Sequence, residues 1–320
     1  MAASSRALLS PLISRCVSSL SIRHLITSRL LYGDALEEGR KGGSGCIHPS
    51  AVVHPDAVLG EGVSVGPFCT IGAAVRIGNA CELHPGSHIM GDTKLGDQCV
   101  ILTGAIVGAD LPGQTVIGSN NVIGHYAVVG AKCQDLKYKV MSAFCTLVTT
   151  MTSESIAPFI DLLNQVKRRV GDNNIFANNT LLAGHVVVED YTHTAGATVV
   201  HQFCHIGSYS FLGGGSVIAQ DVPKYMMVSG DRAELRGLNL EGLRRNGFSS
   251  MEIRRMRRAY QQIFMRDDTN SGSFIDRLAE TEQEKELAEC SSVSSMVQSI
   301  RDSFEEGRRG ICKFRNWNCS

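Results

Sequence analysis

"IHPSAVVHPDAVLGEGVSVGPFCTIGAAVRIG", residues 47–78, places an aliphatic residue at every sixth position. The spacing holds at eleven successive anchor positions: Ile47, Val53, Leu59, Val65, Ile71, Ile77, Leu83, Ile89, Leu95, Ile101 and Val107. Alternate residues of a strand face the same side, so an anchor and the residue two places before it both point inward. The earlier position holds small or modest residues such as Ala57 and Cys69, and turn formers follow the anchors. A six-residue period of this kind is typical of a parallel β-helix.

The period shifts once and later returns. Four extra residues in "GADLPGQT" (108–115) move the phase to Ile117, and a second run extends from Val170 to Ile218. After about Asp221 the apolar spacing becomes helical, with Ser249 and Glu252 placed as a capping box. Two more helices are predicted at 273–289 and 293–307. The sequence therefore predicts a mainly β protein, a left-handed parallel β-helix of hexapeptide repeats (46–139 and 170–221) followed by a small C-terminal α-helical domain (222–320).

Residues 140–169 interrupt the repeat. No glycine occurs between Gly130 and Gly171 in a chain that has 33. Without glycine corners or the six-residue period this segment is not expected to form coils, and we predict an aberrant insert, a short amphipathic helix or a loop. Residues 140–163, back-translated with permitted codons and read in a shifted frame, can spell a hexapeptide containing "IGDNN". We hypothesise a shifted reading frame over 140–169, which the transcript sequence across residues 139–174 tests.

The first 33 residues have the composition of a targeting segment. They contain four arginines, eight serines and no acidic residue. An Arg- and Ser-rich, acid-poor, amphipathic leader is typical of an organelle transit peptide, and mitochondrion is favoured over plastid. Residues 34–45 look like a linker. The chain balances 31 basic against 31 acidic residues, which gives no sign of a nucleic-acid partner, and its apolar runs are too short to predict a membrane span.

Cysteines and histidines are the first candidates for chemistry. Five cysteines occupy the small inward position and are interpreted as core residues: Cys69, Cys81, Cys99, Cys133 and Cys204. His185, His193, His201 and His205 lie one coil apart or less. They could line a groove between subunits as a general base or as metal ligands, and His185 and His201 are the favoured pair.

Five motifs resemble one family: "QDLKY", "FANNTLLAGHV", "VVHQFCHIG", "AQDVPKYMM" and "LNLEGLRRNGFS". They are similar to the acyl-carrier-protein–UDP-N-acetylglucosamine O-acyltransferases of lipid A biosynthesis, over about residues 46–135 and 170–265. The resemblance implies transfer of a hydroxyacyl chain from acyl carrier protein to the sugar 3-hydroxyl, without metal or other cofactor. Coiled prisms with flat sides commonly pack as homotrimers. By resemblance the substrate site between two subunits would be lined by Asp135, Lys137, His185, His201, Gln202 and Arg245.

The resemblance also assigns roles and shows two departures. Lys137 and Arg245 would neutralise nucleotide phosphates, while His185 and Gln202 would hold acyl and sugar groups. Asn246 stands where bacterial members tend to have another arginine. The family's general base lies in a motif like "HIAHDC" before "LAGH", but this chain has no histidine from residue 140 to residue 184. No catalytic residue is therefore identifiable, and we expect impaired activity.

Two other functions stay open at this point. One is a non-catalytic trimeric hexapeptide protein with a structural or regulatory role. The other is a carbonic anhydrase of the γ type, in which three histidines hold zinc between subunits.

Overall fold

The computed structural model describes residues 45–109, 113–130, 167–265 and 273–314, with the backbone only at residues 167 and 168. Most strands contain two residues and end at a tight corner. Up to Ile218, each strand pairs in parallel with the strand one coil further along the chain. Three strands and three corners form one coil. This is the parallel β-helix that the six-residue period predicts.

Three sheets form the walls of the helix. The first sheet contains β1 (Val52–Val53), β4 (Thr70–Ile71), β7 (His88–Ile89), β10 (Ile106–Val107), β13 (Val128–Val129), β16 (Leu181–Leu182), β19 (Val199–Val200) and β22 (Val217–Ile218). The second contains β2 (Val58–Leu59), β5 (Arg76–Ile77), β8 (Thr93–Leu95), β11 (Gln114–Ile117), β14 (Lys167–Val170), β17 (Val187–Val188) and β20 (His205–Ile206). The third contains β3 (Ser64–Val65), β6 (Glu82–Leu83), β9 (Val100–Ile101), β12 (Val122–Ile123), β15 (Ile175–Phe176), β18 (His193–Thr194), β21 (Phe211–Leu212), β23 (Met226–Ser229) and β24 (Glu234–Leu238).

The corners take their names from the sheets that they join. The first corner leads from the first sheet to the second, the second corner from the second sheet to the third, and the third corner from the third sheet back to the first. The anchors fill the interior, and Ile71, Ile101 and Leu212 are at most 1% exposed. Ile47 is half exposed, since no described coil lies below it.

The coils stack directly across the interruption. Val128 pairs with Leu181, Val122 with Ile175, and the whole of β11 with β14. Equivalent hydrogen bonds measure the extra length. The Asp190 carboxylate accepts from the Asp172 amide, 18 residues earlier, which is one regular coil. The Asp172 carboxylate accepts in the same way from the Ser119 amide, but this pair is 53 residues apart. The chain between Ser119 and Asp172 is therefore 35 residues longer than one coil requires.

The interruption is shorter than predicted. The insert was expected to reach residue 169, whereas β14 already begins at Lys167 and follows the register of β11. Backbone pairing to the coils on both sides fixes this strand although its sequence does not follow the repeat. The helix or loop predicted for 140–166, and the last coil residues before it (131–139), lie outside the described residues.

The C-terminal region is not helical throughout, which corrects the prediction for 222–320. Residues 226–229 form β23 beside β21, and β24 returns antiparallel to it. Met226 and Val228 alternate with less buried residues, so this segment completes the third sheet before the helices begin.

Five described helices follow: α1 (Leu240–Arg245), α2 (Ser250–Phe264), α3 (Phe274–Gln283), α4 (Lys285–Ala288) and α5 (Ser291–Asp302). The capping box of Ser249 and Glu252 is confirmed at the start of α2. The helix predicted at 273–289 is divided into α3 and α4 by the extended Glu284. The helix predicted at 293–307 is α5, which ends earlier, at Asp302. None of the described helices is both long enough and apolar enough to cross a membrane.

The chain then returns to the β-helix. Residues 308–314, called the C-terminal strap below, form parallel bridges from Ile311 to Asp221 and from Phe314 to Leu235. The strap thus pairs with an edge that the last coil would otherwise leave open.

Candidate functional site

The first corner brings together three of the residues expected at the site. His185 lies at this corner between β16 and β17, and His201 and Gln202 lie one coil above it, between β19 and β20. The His185 ring packs against Phe203, with ring centroids 4.6 Å apart. His201 is exposed, whereas Gln202 is only 8% exposed. Two imidazoles and one amide therefore occupy successive coils at one corner.

The backbone at this corner is unusual for residues with side chains. His185 has φ of 62° and Phe203 has φ of 63°, both in the left-handed region. A residue other than glycine in that region costs on the order of 1 kcal/mol or more and persists only where the surrounding structure holds it. Contact between the two rings, which are tilted by 32°, and stacking of the coils hold this conformation, which recurs at other corners such as Tyr191 and Tyr209.

Arg245 lies elsewhere on the subunit. It ends α1, is exposed, and donates a hydrogen bond from Nε to Glu241 at 3.0 Å. The residues on either side of α1 pack on the second corner. Before the helix, the Asn239 side chain donates to the Tyr209 carbonyl at 2.8 Å, and after it the Phe248 ring meets the Tyr209 ring edge-on at 5.0 Å. One subunit therefore does not bring Arg245 to the histidines of the first corner.

Asn246 lies at the end of α1. Its side-chain amide donates to the Gly242 carbonyl at 2.8 Å, and its backbone amide donates to the same carbonyl at 3.1 Å. An arginine could also bind the last carbonyls of a helix, so this contact does not by itself account for the asparagine. Asp135 and Lys137, the remaining predicted site residues, lie outside the described residues.

His205 and His193 have other partners. His205 hydrogen-bonds through Nε2 to Glu189 at 2.7 Å, and Lys224 lies 3.4 Å from the same carboxylate. His193 meets Phe211 edge-on on the outer side of the third sheet, at 5.5 Å. Neither residue belongs to the corner of His185 and His201.

The Glu189 cluster was not predicted from the sequence. Ser208 donates to Glu189 from both its amide and its hydroxyl, at 3.0 and 2.6 Å. Burial alone would raise the pKa of Glu189, but the hydrogen bonds from His205 and Ser208 and the charge of Lys224 outweigh it and lower this pKa from 4.5 to about 2. The members come from different coils, so only knowledge of the register could have linked them.

The described cysteines at inward positions are core residues, as predicted. Cys69, Cys81, Cys99 and Cys204 are fully buried, while Cys133 lies outside the described residues. Burial raises the pKa of the Cys204 thiol to about 12, so at neutral pH it is protonated and a poor nucleophile.

The described residues contain no group of three or more His, Cys, Asp or Glu side chains placed to hold a metal ion. The γ-type carbonic anhydrase interpretation thus gains no support from side chains of one described subunit.

None of the described coils corresponds to the position expected for a general base. The family motif should lie between "QDLKY" and "LAGH", yet β13 pairs directly with β16. No described coil separates Val129 from Leu182, and the sequence has no histidine from residue 140 to residue 184.

The chain is similar to known families and proteins over most of its length. The family described as "Udp N-acetylglucosamine O-acyltransferase; Domain 2" matches residues 221–312, and the family described as "GMPPB C-terminal domain" matches residues 42–134. A probable mitochondrial acyl-[acyl-carrier-protein]–UDP-N-acetylglucosamine O-acyltransferase of Arabidopsis thaliana is 56% identical, over 97% of this chain and 96% of that protein. An Aliivibrio fischeri acyl-[acyl-carrier-protein]–UDP-N-acetylglucosamine O-acyltransferase is 41% identical over 45% of this chain and about half (51%) of its own length.

Solved structures are similar too. The crystal structure of an Arabidopsis UDP-N-acetylglucosamine acyltransferase is 54% identical and superposes with a TM-score of 0.57, covering 84% of this chain and 100% of that one. The enzyme of the same description from Campylobacter jejuni is 26% identical, with a TM-score of 0.60 and coverage of 84% and 100%.

Proposed function

This chain belongs to the family of acyl-[acyl-carrier-protein]–UDP-N-acetylglucosamine O-acyltransferases, and from that premise we propose that its substrates bind at the first corner. The reaction is the acyl transfer of lipid A biosynthesis, from acyl carrier protein to the 3-hydroxyl of UDP-N-acetylglucosamine. The hydroxyl oxygen forms a bond to the thioester carbonyl carbon, the carbon–sulfur bond breaks, and the hydroxyl proton passes through a base to the departing thiolate. The grouping of His185, His201 and Gln202 on successive coils supports this location.

The outer faces of the prism support a homotrimer. Apolar side chains run in register along the first sheet at Ile106, Val128, Leu181, Val199 and Val217. Along the third sheet they lie at Val100, Val122, Ile175, Phe211 and Met227, with His193 between Ile175 and Phe211. The second sheet is more polar: its equivalent outward row holds Arg76, Lys94, Arg169 and His205 together with Val58, Val116 and Val187. A ring of three subunits covers both apolar faces, because each contact joins the first sheet of one subunit to the third sheet of the next.

This contact also completes the site. When the first sheet of one subunit packs on the third sheet of its neighbour, the third corners meet at the axis. The outer edge of the interface then joins the first corner of one subunit to the second corner of the other. His185 and His201 of one subunit therefore come to lie beside α1 and Arg245 of the neighbour. The guanidinium of Arg245 suits the diphosphate of the sugar nucleotide.

Complementation between subunits tests this arrangement. His201→Ala and Arg245→Ala variants are each expected to lose UDP-N-acetylglucosamine binding in calorimetry. Subunits mixed by unfolding and refolding should regain about a quarter of the sites, because one interface in four then holds both native residues. If every site lies within one subunit, mixing restores nothing. Arg232→Ala, a change at another exposed arginine, serves as the control and should bind as the parent does.

Asp135 and Lys137 enter the proposal through the family motif alone. A Lys137→Ala variant is expected to weaken nucleotide binding because the substrate phosphates lose a positive charge. Binding equal to that of the parent would remove Lys137 from the proposed site.

The missing coil favours a second candidate function. Because β13 stacks directly on β16, this chain could bind the sugar nucleotide as a trimer and transfer acyl groups slowly or not at all. A transfer assay with acyl carrier protein as donor separates this structural or regulatory role from catalysis.

Mitochondrial localisation accompanies this function. The similar Arabidopsis thaliana protein carries "mitochondrial" in its name, and residues 1–33 of this chain have the composition of a transit peptide. A fluorescent protein fused behind residues 1–45 should enter mitochondria, and accumulation in plastids would contradict the assignment.

A further inference from the structure

The last coil ends beside the first corner, and the C-terminal strap takes the place of the next coil. In regular coils, at the second and third corners, the carbonyl four residues before an anchor accepts a hydrogen bond from an amide 19 residues later. Examples are Gly196 with the amide of Gly215 at 3.0 Å and Asp190 with that of Tyr209 at 3.0 Å. Gln202 is the equivalent residue for the anchor Ile206, and the corresponding amide belongs to Asp221.

Asp221 does not donate to Gln202. Its amide donates to the Gly310 carbonyl of the strap at 2.7 Å, and the Cys312 amide donates back to the Asp221 carbonyl at 2.9 Å. The Gln202 carbonyl accepts instead from the guanidinium of Arg309, at 3.1 Å from Nη1. Nε of the same guanidinium donates to the Ala219 carbonyl at 2.7 Å.

Arg309 thus binds the first corner on two successive coils. Ala219 lies one coil above His201 at the same corner, so a single planar group joins the site coil to the end of the prism. A backbone carbonyl at a corner needs a partner, and a charged donor makes a stronger bond than a neutral amide does. The neighbouring Arg308 is used differently, since it donates to the Asp221 carboxylate at 2.7 Å.

We propose that Arg309 is a positioning residue for the substrate site, holding the His201–Gln202 corner through the Gln202 carbonyl. The assignment to a substrate site rests on the function proposed above. Arg309 acts on the backbone that carries His201 and Gln202, and need not touch the substrate itself. The C-terminal strap therefore contributes to binding as well as closing the end of the β-helix.

The test compares Arg309→Met, which keeps an apolar stem and removes the donors, with Arg309→Lys, which keeps the charge and one site of donation. Lys313→Ala is the matched control, because it removes a positive charge from an exposed residue of the same strap. Calorimetry with UDP-N-acetylglucosamine measures binding, and thermal unfolding measures stability. Hydrogen exchange compares the amide protection of residues 201–206 with that of residues 183–188, one coil below.

Arg309→Met is expected to raise the Kd for UDP-N-acetylglucosamine about tenfold and to speed exchange at 201–206 but not at 183–188. Arg309→Lys should recover part of both losses, and Lys313→Ala should match the parent. A purely structural role would lower the unfolding temperature of Arg309→Met and leave the Kd unchanged, which would overturn the proposal. If the parent itself does not bind UDP-N-acetylglucosamine, the proposed function fails. Hydrogen exchange then decides alone, and unchanged protection at 201–206 refutes the role of Arg309.

Discussion

The Glu189 carboxylate and the His205 ring, on successive coils of the second sheet, are joined by a hydrogen bond of 2.7 Å. Lys224 and Ser208 complete the cluster, and the Lys224 amide donates to Ser299 of α5 at 3.1 Å. This cluster therefore ties the last coils to the helical domain. The low pKa of Glu189, about 2, shows that its charged form is the one that the fold stabilises.

Comparison of the parent with Glu189→Gln at several pH values should show how much the charged Glu189 contributes to the free energy of unfolding. A carboxyl whose folded pKa is depressed stabilises the fold above its unfolded pKa, and the contribution falls as pH drops toward the folded pKa. Parent and variant should differ by about 1–3 kcal/mol in free energy of unfolding at pH 7. The difference should shrink between pH 4.5 and 2, the interval that the shift spans. Urea unfolding at a series of pH values measures it.

Glu61→Gln is the control for this series, because Glu61 is exposed. Its free energy of unfolding should follow that of the parent throughout. A Glu189→Gln difference that stays constant down to pH 2 would show that the charge of Glu189 is not what stabilises the cluster.

Arg308→Met should be strongly destabilising. Asp221 is 1% exposed and binds both the Arg308 guanidinium and, at 2.8 Å, the His205 amide. Removal of the guanidinium leaves a buried charge without its partner, which costs about 3–5 kcal/mol. Arg301→Met, which breaks the more exposed pair with Glu282, should cost no more than about 1 kcal/mol. Equal losses in urea unfolding of the two variants would contradict the interpretation of Asp221 as a buried ion-pair partner.

Most of the β-helix was predictable, because the six-residue period in the local sequence identifies which residues point inward and are buried. Ile71, Ile101 and Leu212 sit at positions of the six-residue period and are all buried. Strands β23 and β24 escaped prediction since they leave the period and hold their place by pairing with β21. Lys167–Val170 was misjudged for a related reason: pairing in register with β11 imposes the strand on a sequence without the pattern.

Of the candidate site, only the residues that lie within sequence motifs could be predicted. "GHV" and "VVHQF" identified His185, His201 and Gln202, which the structure brings to one corner. The partner of the Gln202 carbonyl could not be anticipated, because Arg309 lies 107 residues further along the chain. Glu189 escaped for the same reason, since its partners come from separate coils.

Deletion of residues 131–165 should preserve the β-helix. The interruption contains 35 residues more than one coil, and their removal leaves Val129 and Val170 six positions apart, the spacing of all regular anchors. The stacking of β13 on β16 needs no other change. Loop closure becomes cheaper by about 1–2 kcal/mol, so the unfolding temperature should equal or exceed that of the parent, with the same far-UV circular dichroism.

Deletion of residues 131–148 is the control for this experiment. It removes 18 residues and leaves 17 of the extra 35, so the coils should still stack as in the parent, with a smaller gain in unfolding temperature. Unfolding or aggregation of the 131–165 deletion, with the parent stable, would show that the segment is needed for the fold.

The missing coil predicts slow acyl transfer even where substrate binding is intact. The hydroxyl of a sugar must lose its proton as it attacks the thioester, and a positioned base accelerates such a step about 10²- to 10⁴-fold. This chain should therefore bind UDP-N-acetylglucosamine but transfer acyl groups at least about 100-fold more slowly than the Arabidopsis thaliana relative, measured side by side with the same acyl carrier protein. The defect should appear in kcat, since the first-corner residues that we propose to hold the substrate are present. Transfer at the rate of the relative would mean that another group serves as the base.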